Sequence, residues 1–191
     1  MCFKKGKVLI ISAPSGSGKT TITKFLISQN FNLVFSISAC TRKKRKNELD
    51  GVDYYFLNIN EFKKKIKNGD FLEWEEVYDN SFYGTFKKDV EEKLNSGKNI
   101  IFDIDIQGAL SLKNYFKKDS FSIYIDAPFN IIEKRLRDRK TESEQDIFKR
   151  LAKIKEEGGH KNKFDVIINN VDLKQSKKEI KAMVTEFLKI Q

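Results

Sequence analysis

Short apolar runs alternate along the chain with stretches whose apolar residues recur at helical spacing. Lys7–Ser12 (KVLIIS) is apolar at nearly every position, as expected of a parallel strand covered on both faces. Leu33–Ser38 (LVFSIS), Asn99–Asp105 (NIIFDID), Phe121–Ala127 (FSIYIDA) and Phe164–Asn170 (FDVIINN) predict four further strands. Between them, Gly18 to about Ser28 predicts a helix with Ile22, Phe25 and Leu26 on one side. Helical spacing also covers Gly108–Lys118, Asn130–Arg139, Ser143–Glu157 and Ser176–Ile190. Strands that alternate with helices predict an α/β fold: a parallel sheet of about five strands flanked by helices.

The segment from about Thr41 to Phe86 breaks this rhythm. DYYFL and FLEWEEV predict short strands, and Asn60–Asn68 a short helix capped by Asn60 and stopped by Gly69. A mixed insertion between two strands of a parallel sheet projects above the sheet's C-terminal edge, where open α/β sheets bind ligands. The 191 residues suit a single core without a flexible linker. No apolar run approaches the ~20 residues of a membrane span. The apolar stretch Val8–Ile11 is shorter than the ~7–15 residues of a signal-peptide h-region, and a Gly-rich loop follows at once.

Charge narrows the picture through its distribution more than its sum. The net charge of +10 suits an anionic partner, but lysines are spread along the whole chain. Only six of the 37 basic residues are arginines: Arg42 and Arg45 in one group, Arg135, Arg137, Arg139 and Arg150 in another. In a chain that uses lysine almost everywhere, clustered arginines mark positions that need a planar, bidentate fork. The run from Arg42 to Lys46 is therefore read as two forks with solvated lysines among them, not as a nucleic-acid patch. Two cysteines, Cys2 and Cys40, are too few for a disulfide framework and point to a reducing cytoplasm. With His160 the only histidine, triad chemistry has no partner residues.

APSGSGKTT (Ala13–Thr21) follows the first strand and opens the first helix, the context of a phosphate-binding loop. Backbone N–H groups there converge on phosphate oxygens, aided by the helix N-terminus. Lys19 is expected to bridge β- and γ-phosphates and the Thr20 hydroxyl to coordinate Mg²⁺. The strict pattern begins with glycine, where this chain has Ala13. Such a loop implies a P-loop NTPase core but leaves the phosphoryl acceptor open.

The acceptor is pointed to by a resemblance. From Val8 to about Leu173 the chain resembles guanylate kinases, through SAPSGSGKTT, SACTRKKRKNELDGVDYYF, FLEWEEV, FYGT, FDIDIQG, EKRLRDRKTESE followed by KRL, and DVIINN. The resemblance implies a cytoplasmic enzyme that converts ATP and GMP, with dGMP as a further acceptor, into ADP and the diphosphate. Mg²⁺ is the implied cofactor and purine nucleotide metabolism the implied setting. It also implies a single domain: a core of residues 1–38, 87–134 and 152–191, a GMP-binding insertion of 39–86, and a lid of 135–151. ATP would lie on Ala13, Pro14, Ser15, Gly16, Ser17, Gly18, Lys19, Thr20 and Thr21, with Asn169 near the adenine. Arg42 and Arg45 match the pair on the GMP phosphate, with Ser38, Tyr54 and Tyr83 as hydroxyl donors. Glu73 and Asp105 match the guanine-reading carboxylates, and Thr85 a donor to O6.

Asp103 and Asp105 differ by two, so along a strand both face one way. Asp103 is assigned to Mg²⁺ through water and Asp105 to guanine. Arg135 and Arg139 share a helix face and, with Arg150, match arginines on the transferring phosphate; together with Lys19 and Arg42 they form the implied catalytic set. Arg137, on another face, is read as structural or adenine-adjacent. The basic loop departs from the family pattern at Cys40, Lys44 and Asn47, changes that bear on loop stiffness and GMP affinity. Competing readings are another monophosphate kinase, a non-catalytic module of the same fold and a basic nucleic-acid binder. Glu73, Thr85 and Asp105 argue against the first, Lys19 and Thr20 with the lid arginines against the second, and the lack of a stacking motif against the third. Membranes are not expected partners, and the oligomeric state is left open.

Overall fold

The computed structural model describes residues 5–78, 80–138 and 144–189. A five-stranded sheet forms its centre, from β1 (Val8–Ser12), β2 (Leu33–Phe35), β7 (Asn99–Asp103), β8 (Ser120–Asp126) and β9 (Val166–Asn169). Their order is β2-β7-β1-β8-β9, with every pairing parallel. The apolar run of β1 has a simple cause. Val8 and Ile10 face one side, packing with Val90 and Leu94 of α3 (Lys87–Asn95) and with Ala109 and Leu112 of α4 (Ile106–Phe116). Leu9 and Ile11 face the other, against Ile22 and Leu26 of α1 (Lys19–Ile27) and Ile180 and Val184 of α7 (Leu173–Lys189). Both faces are core, so alternation disappears from the strand.

A second sheet, ordered β4-β3-β6-β5, comprises β3 (Ser38–Cys40), β4 (Tyr55–Phe56), β5 (Phe71–Tyr78) and β6 (Ser81–Phe86). Helix α2 (Ile59–Lys67) covers it, with Phe62 fully buried and its ring stacked on Phe71 at 4.5 Å. Two more helices, α5 (Phe129–Asp138) and α6 (Glu144–Glu157), bury Ile132, Leu136, Ile147 and Leu151 against each other. Among the described residues no helix is long and apolar enough to cross a membrane.

Several expectations are corrected here. Leu33–Ser38 is two strands, since the chain leaves the central sheet after Phe35 and Ser38 already pairs with Thr85 in the second sheet. The cap of α2 is Asn58, not Asn60: its side chain accepts from Glu61 N at 2.8 Å while Glu61 accepts from Asn58 N at 2.9 Å. That reciprocal capping box outcompetes a cap two residues later. β7 ends at Asp103, so Asp103 and Asp105 do not share a strand face. Asp105 is instead the N-cap of α4, its Oδ1 accepting from Gly108 N at 3.0 Å. β6 and α3 were not foreseen. Cys40 is buried in β3, where burial pushes its thiol pKa up, and Cys2 lies outside the described residues.

Candidate active site

Between β1 and α1 the backbone folds into a tight loop. Gly16 (φ +87°) and Gly18 (φ +98°) occupy the left-handed region that disfavours side chains. Space is short as well: a Cβ on Gly18 would lie 2.4 Å from Asn170 Nδ2, and one on Gly16 would lie 3.1 Å from Leu136 of α5. Lys19 opens α1, and its ammonium donates to Asp103 Oδ1 at 2.7 Å and to the Ile104 carbonyl at 3.0 Å. The tip of β7 thus fixes the lysine beside the loop. Thr20 and Thr21 are exposed on the first turn of α1.

A cleft of about 230 Å³ separates this edge from the second sheet. Lys19, Asp103 and Asp105 line one wall, and Ser38, Tyr54, Glu73 and Tyr83 the other. The cleft therefore gathers most of the acceptor residues expected from sequence, drawn from positions 38 to 105. Within this lining the rings of Tyr54 and Tyr83 meet edge-on at 6.2 Å. The Arg42 guanidinium lies over the Tyr54 ring, 4.7 Å from its centroid.

Glu73, in the same lining, is 8 % exposed and pairs across the sheet with Thr85. Burial, with Asp105 nearby acting in the same direction, raises the Glu73 carboxyl from its ordinary 4.5 to about 7. The Thr85 hydroxyl beside it offsets part of this shift. The two groups fall short of an aligned hydrogen bond, however, and Thr85 Oγ1 is buried without a partner among the described residues. A buried carboxyl beside a buried hydroxyl with no partner among the described residues is prepared for a polar ligand edge.

Sequence reasoning missed Glu48. Its carboxylate accepts from both terminal nitrogens of Arg42 at 2.6 Å, and from the Arg45 backbone N–H at 2.9 Å. Pairing holds Glu48 at about 2, far below its usual range, and raises Arg42 above its own. The fork is thus engaged on one edge, leaving the Nε edge of Arg42 for a second anion. The signal in sequence was the first acid after five consecutive cations. Arg45, Lys43, Lys44 and Lys46 are exposed.

The arginines of the second group are placed differently from one another. Arg135 donates to the Ser17 carbonyl at 3.2 Å and the Asn170 carbonyl at 3.0 Å. Arg150 donates to Ser15 Oγ at 2.7 Å. Both reach the loop, through its backbone and a side chain. Arg137 is exposed and paired with Glu133 and Glu144 at 2.9 and 2.5 Å. Arg139 lies outside the described residues. Asn169 ends β9 and is exposed, whereas its neighbour Asn170, which sequence reasoning passed over, is 1 % exposed and bonded to the loop.

Comparison with known proteins shows the family. The profile of the family described as "Guanylate kinase" matches residues 5–187. A guanylate kinase of Bacteroides fragilis is 44% identical over 187 residues, spanning 97% of this chain and 92% of that protein. One from Rickettsia bellii is 43% identical over 187 residues, 97% of each chain. The crystal structure of guanylate kinase from Anaplasma phagocytophilum superposes with a TM-score of 0.77 at 29% identity, covering 99% of this chain and 89% of that one. The chain belongs to the guanylate kinase family of ATP-dependent nucleoside-monophosphate kinases.

Proposed function

We propose that this guanylate kinase transfers the γ-phosphoryl group of ATP to GMP across the cleft between the Ala13–Thr21 loop and the second sheet. The observation that carries this reading is the cleft itself, whose lining brings Tyr54, Tyr83, Glu73 and Asp105 together with Lys19. In this reading residues 39–86 form the GMP-binding part, 135–151 the lid, and the remainder the core.

An ionised phosphate monoester attacks without a general base, so the chain's task is to bring two polyanions together and hold them in line. Arg42 grips the GMP phosphate through the edge that Glu48 leaves open, with Arg45, Ser38, Tyr54 and Tyr83 completing the cradle. Guanine offers N1–H and an exocyclic amine on one edge; Glu73 and Asp105 accept them, and Thr85 Oγ1 donates to O6. Adenine lacks that donor pair and would leave Glu73 and Thr85 unmet, a penalty that polar sites convert into roughly 10⁴-fold discrimination. Lys19, poised by Asp103, meets the ATP phosphates together with the loop N–H groups. Arg135, Arg139 and Arg150 neutralise the transferring group, and Asn169 borders the adenine.

The donor set also fits Mg²⁺. Thr20 and Asp103 offer hard oxygens at the tip of β7 and α1, and Mg²⁺ is commonly held by one or two protein oxygens with phosphates and water supplying the rest. When bound, the ion withdraws charge from the β- and γ-phosphates. Cys40, buried and free, is compatible with a reducing cytoplasm as the working compartment.

The fork assignment is tested by kinetics. Arg42→Lys should raise KM for GMP by ~10-fold or more, as loss of a charge-assisted bidentate bond implies. Lys43→Ala and Lys44→Ala should stay within twofold of wild type. Equal losses in all three would show that bulk charge, not a fork, holds the phosphate.

A further inference from the structure

Asn170 stands outside the cleft, yet it is the point at which β9, the phosphate loop and α5 meet. It follows the last residue of β9, and its own backbone N–H donates to the Asp126 carbonyl at 2.7 Å, which anchors it to β8. From that anchor its side-chain Nδ2 donates to the Ser17 carbonyl at 2.7 Å in a fully buried bond. Arg135 donates to the same carbonyl and to the Asn170 carbonyl. The junction is closed sterically too, because Gly18 leaves room for Nδ2 that any Cβ would take.

The consequence lies in the geometry of one peptide unit. The bond between Ser17 and Gly18 is trans, as no cis bond occurs among the described residues, so its C=O and N–H point in opposite directions. Holding the Ser17 carbonyl against Asn170 therefore turns the Gly18 N–H away from β9. It therefore lies on the side of the peptide plane opposite to Asn170. Arg135 is a second, longer donor to the Ser17 carbonyl at 3.2 Å, and Ser17 Oγ and Asn170 Oδ1 are both buried at this junction without partners among the described residues.

We infer that Asn170 is a positioning residue for ATP: through the Ser17 carbonyl it presets the Gly18 N–H for a phosphate oxygen, and it ties that setting to Arg135. The inference rests on the assignment of the Ala13–Thr21 loop to ATP. It adds a residue that touches no substrate.

The test is Asn170→Ala, read by KM for ATP, KM for GMP and thermal stability, together with calorimetric titration of a non-hydrolysable ATP analogue with Mg²⁺. Loss of one buried hydrogen bond of ~1–3 kcal/mol corresponds to roughly 5- to 150-fold weaker analogue binding. KM for ATP should rise likewise, with KM for GMP within twofold. Val184→Ala, a core truncation in α7, serves as a control for stability loss alone and should leave KM for ATP unchanged. If Asn170→Ala does not fold, Asn170→Gln displaces the same amide by one methylene and should show the same selective loss. An unchanged KM for ATP, or equal rises for ATP and GMP, overturns the inference. Failure of the wild-type protein to bind the analogue at all would instead refute the loop's assignment to ATP.

Discussion

Glu73→Gln offers a test of the proposed base-reading site that needs no substrate. Glu73 is 8 % exposed and titrates at about 7 instead of 4.5, chiefly because burial penalises its charge. The folded protein thus binds this proton more tightly than the unfolded chain does. Below pH 4.5 both states carry the proton and burial of the group costs nothing through ionisation. Between 4.5 and about 7 the unfolded state ionises first, and stability falls as pH rises. Above 7 the full penalty applies, roughly 3 kcal/mol from that interval by linkage. Glutamine keeps the shape and cannot ionise; any cost of its own unmet amide is the same at every pH. The difference in stability between Glu73→Gln and wild type should therefore shift in favour of the variant by about 3 kcal/mol between pH 4.5 and 8. In a chain of this size that is roughly 6–12 °C in Tm. Nucleotide-free thermal unfolding of both proteins at half-unit pH steps measures it. A difference that stays flat with pH would refute the reasoning, because it would mean that Glu73 enters the folded state ionised.

Other outcomes follow from single contacts. Gly18→Ala places a Cβ 2.4 Å from Asn170 Nδ2 at φ +98° and should destabilise the fold by ~2–4 kcal/mol, measured by denaturant unfolding. Glu48→Ala frees Arg42 to sample other rotamers and should raise KM for GMP several-fold, with KM for ATP unchanged; no change in KM for GMP would show that the clamp is incidental. Since Glu48 titrates at about 2, the Arg42 clamp should persist at pH 4 and be lost only as pH falls towards 2, observable as the Glu48 carboxyl shift in NMR. Arg137→Ala, which removes only exposed ion pairs, should change stability by less than ~1 kcal/mol and leave turnover intact.

Much of the fold was legible because periodicity reports burial directly. The central strands read as unbroken apolar runs since helices cover both faces, and α1 and α5 to α7 each carry an apolar stripe. Legibility failed where a local contact decides. Asn58 rather than Asn60 caps α2 because Glu61 returns the hydrogen bond, and LVFSIS divides because Ser38 finds Thr85, a partner 47 positions away. β6 (SFYGTF) was read only as a binding motif; its identity as a strand depends on pairing with β3 and β5. The site divides the same way. Residue types and the family resemblance pointed to the proposed anion- and base-binding groups, but not to the partners that hold them. Glu48 on Arg42 and Asp103 on Lys19 are pairings of distance, not of spacing, and Asn170 acts through a backbone carbonyl that no side-chain pattern reveals.

The proposed site accepts GMP and rejects other monophosphates. ADP release from ATP and Mg²⁺ measured with GMP, AMP, CMP and UMP in parallel tests it most directly. The account predicts turnover with GMP and at least ~10³-fold lower kcat/KM with AMP, because adenine leaves Glu73 and Thr85 without partners. Equal rates with AMP and GMP, or no turnover with GMP, would contradict it.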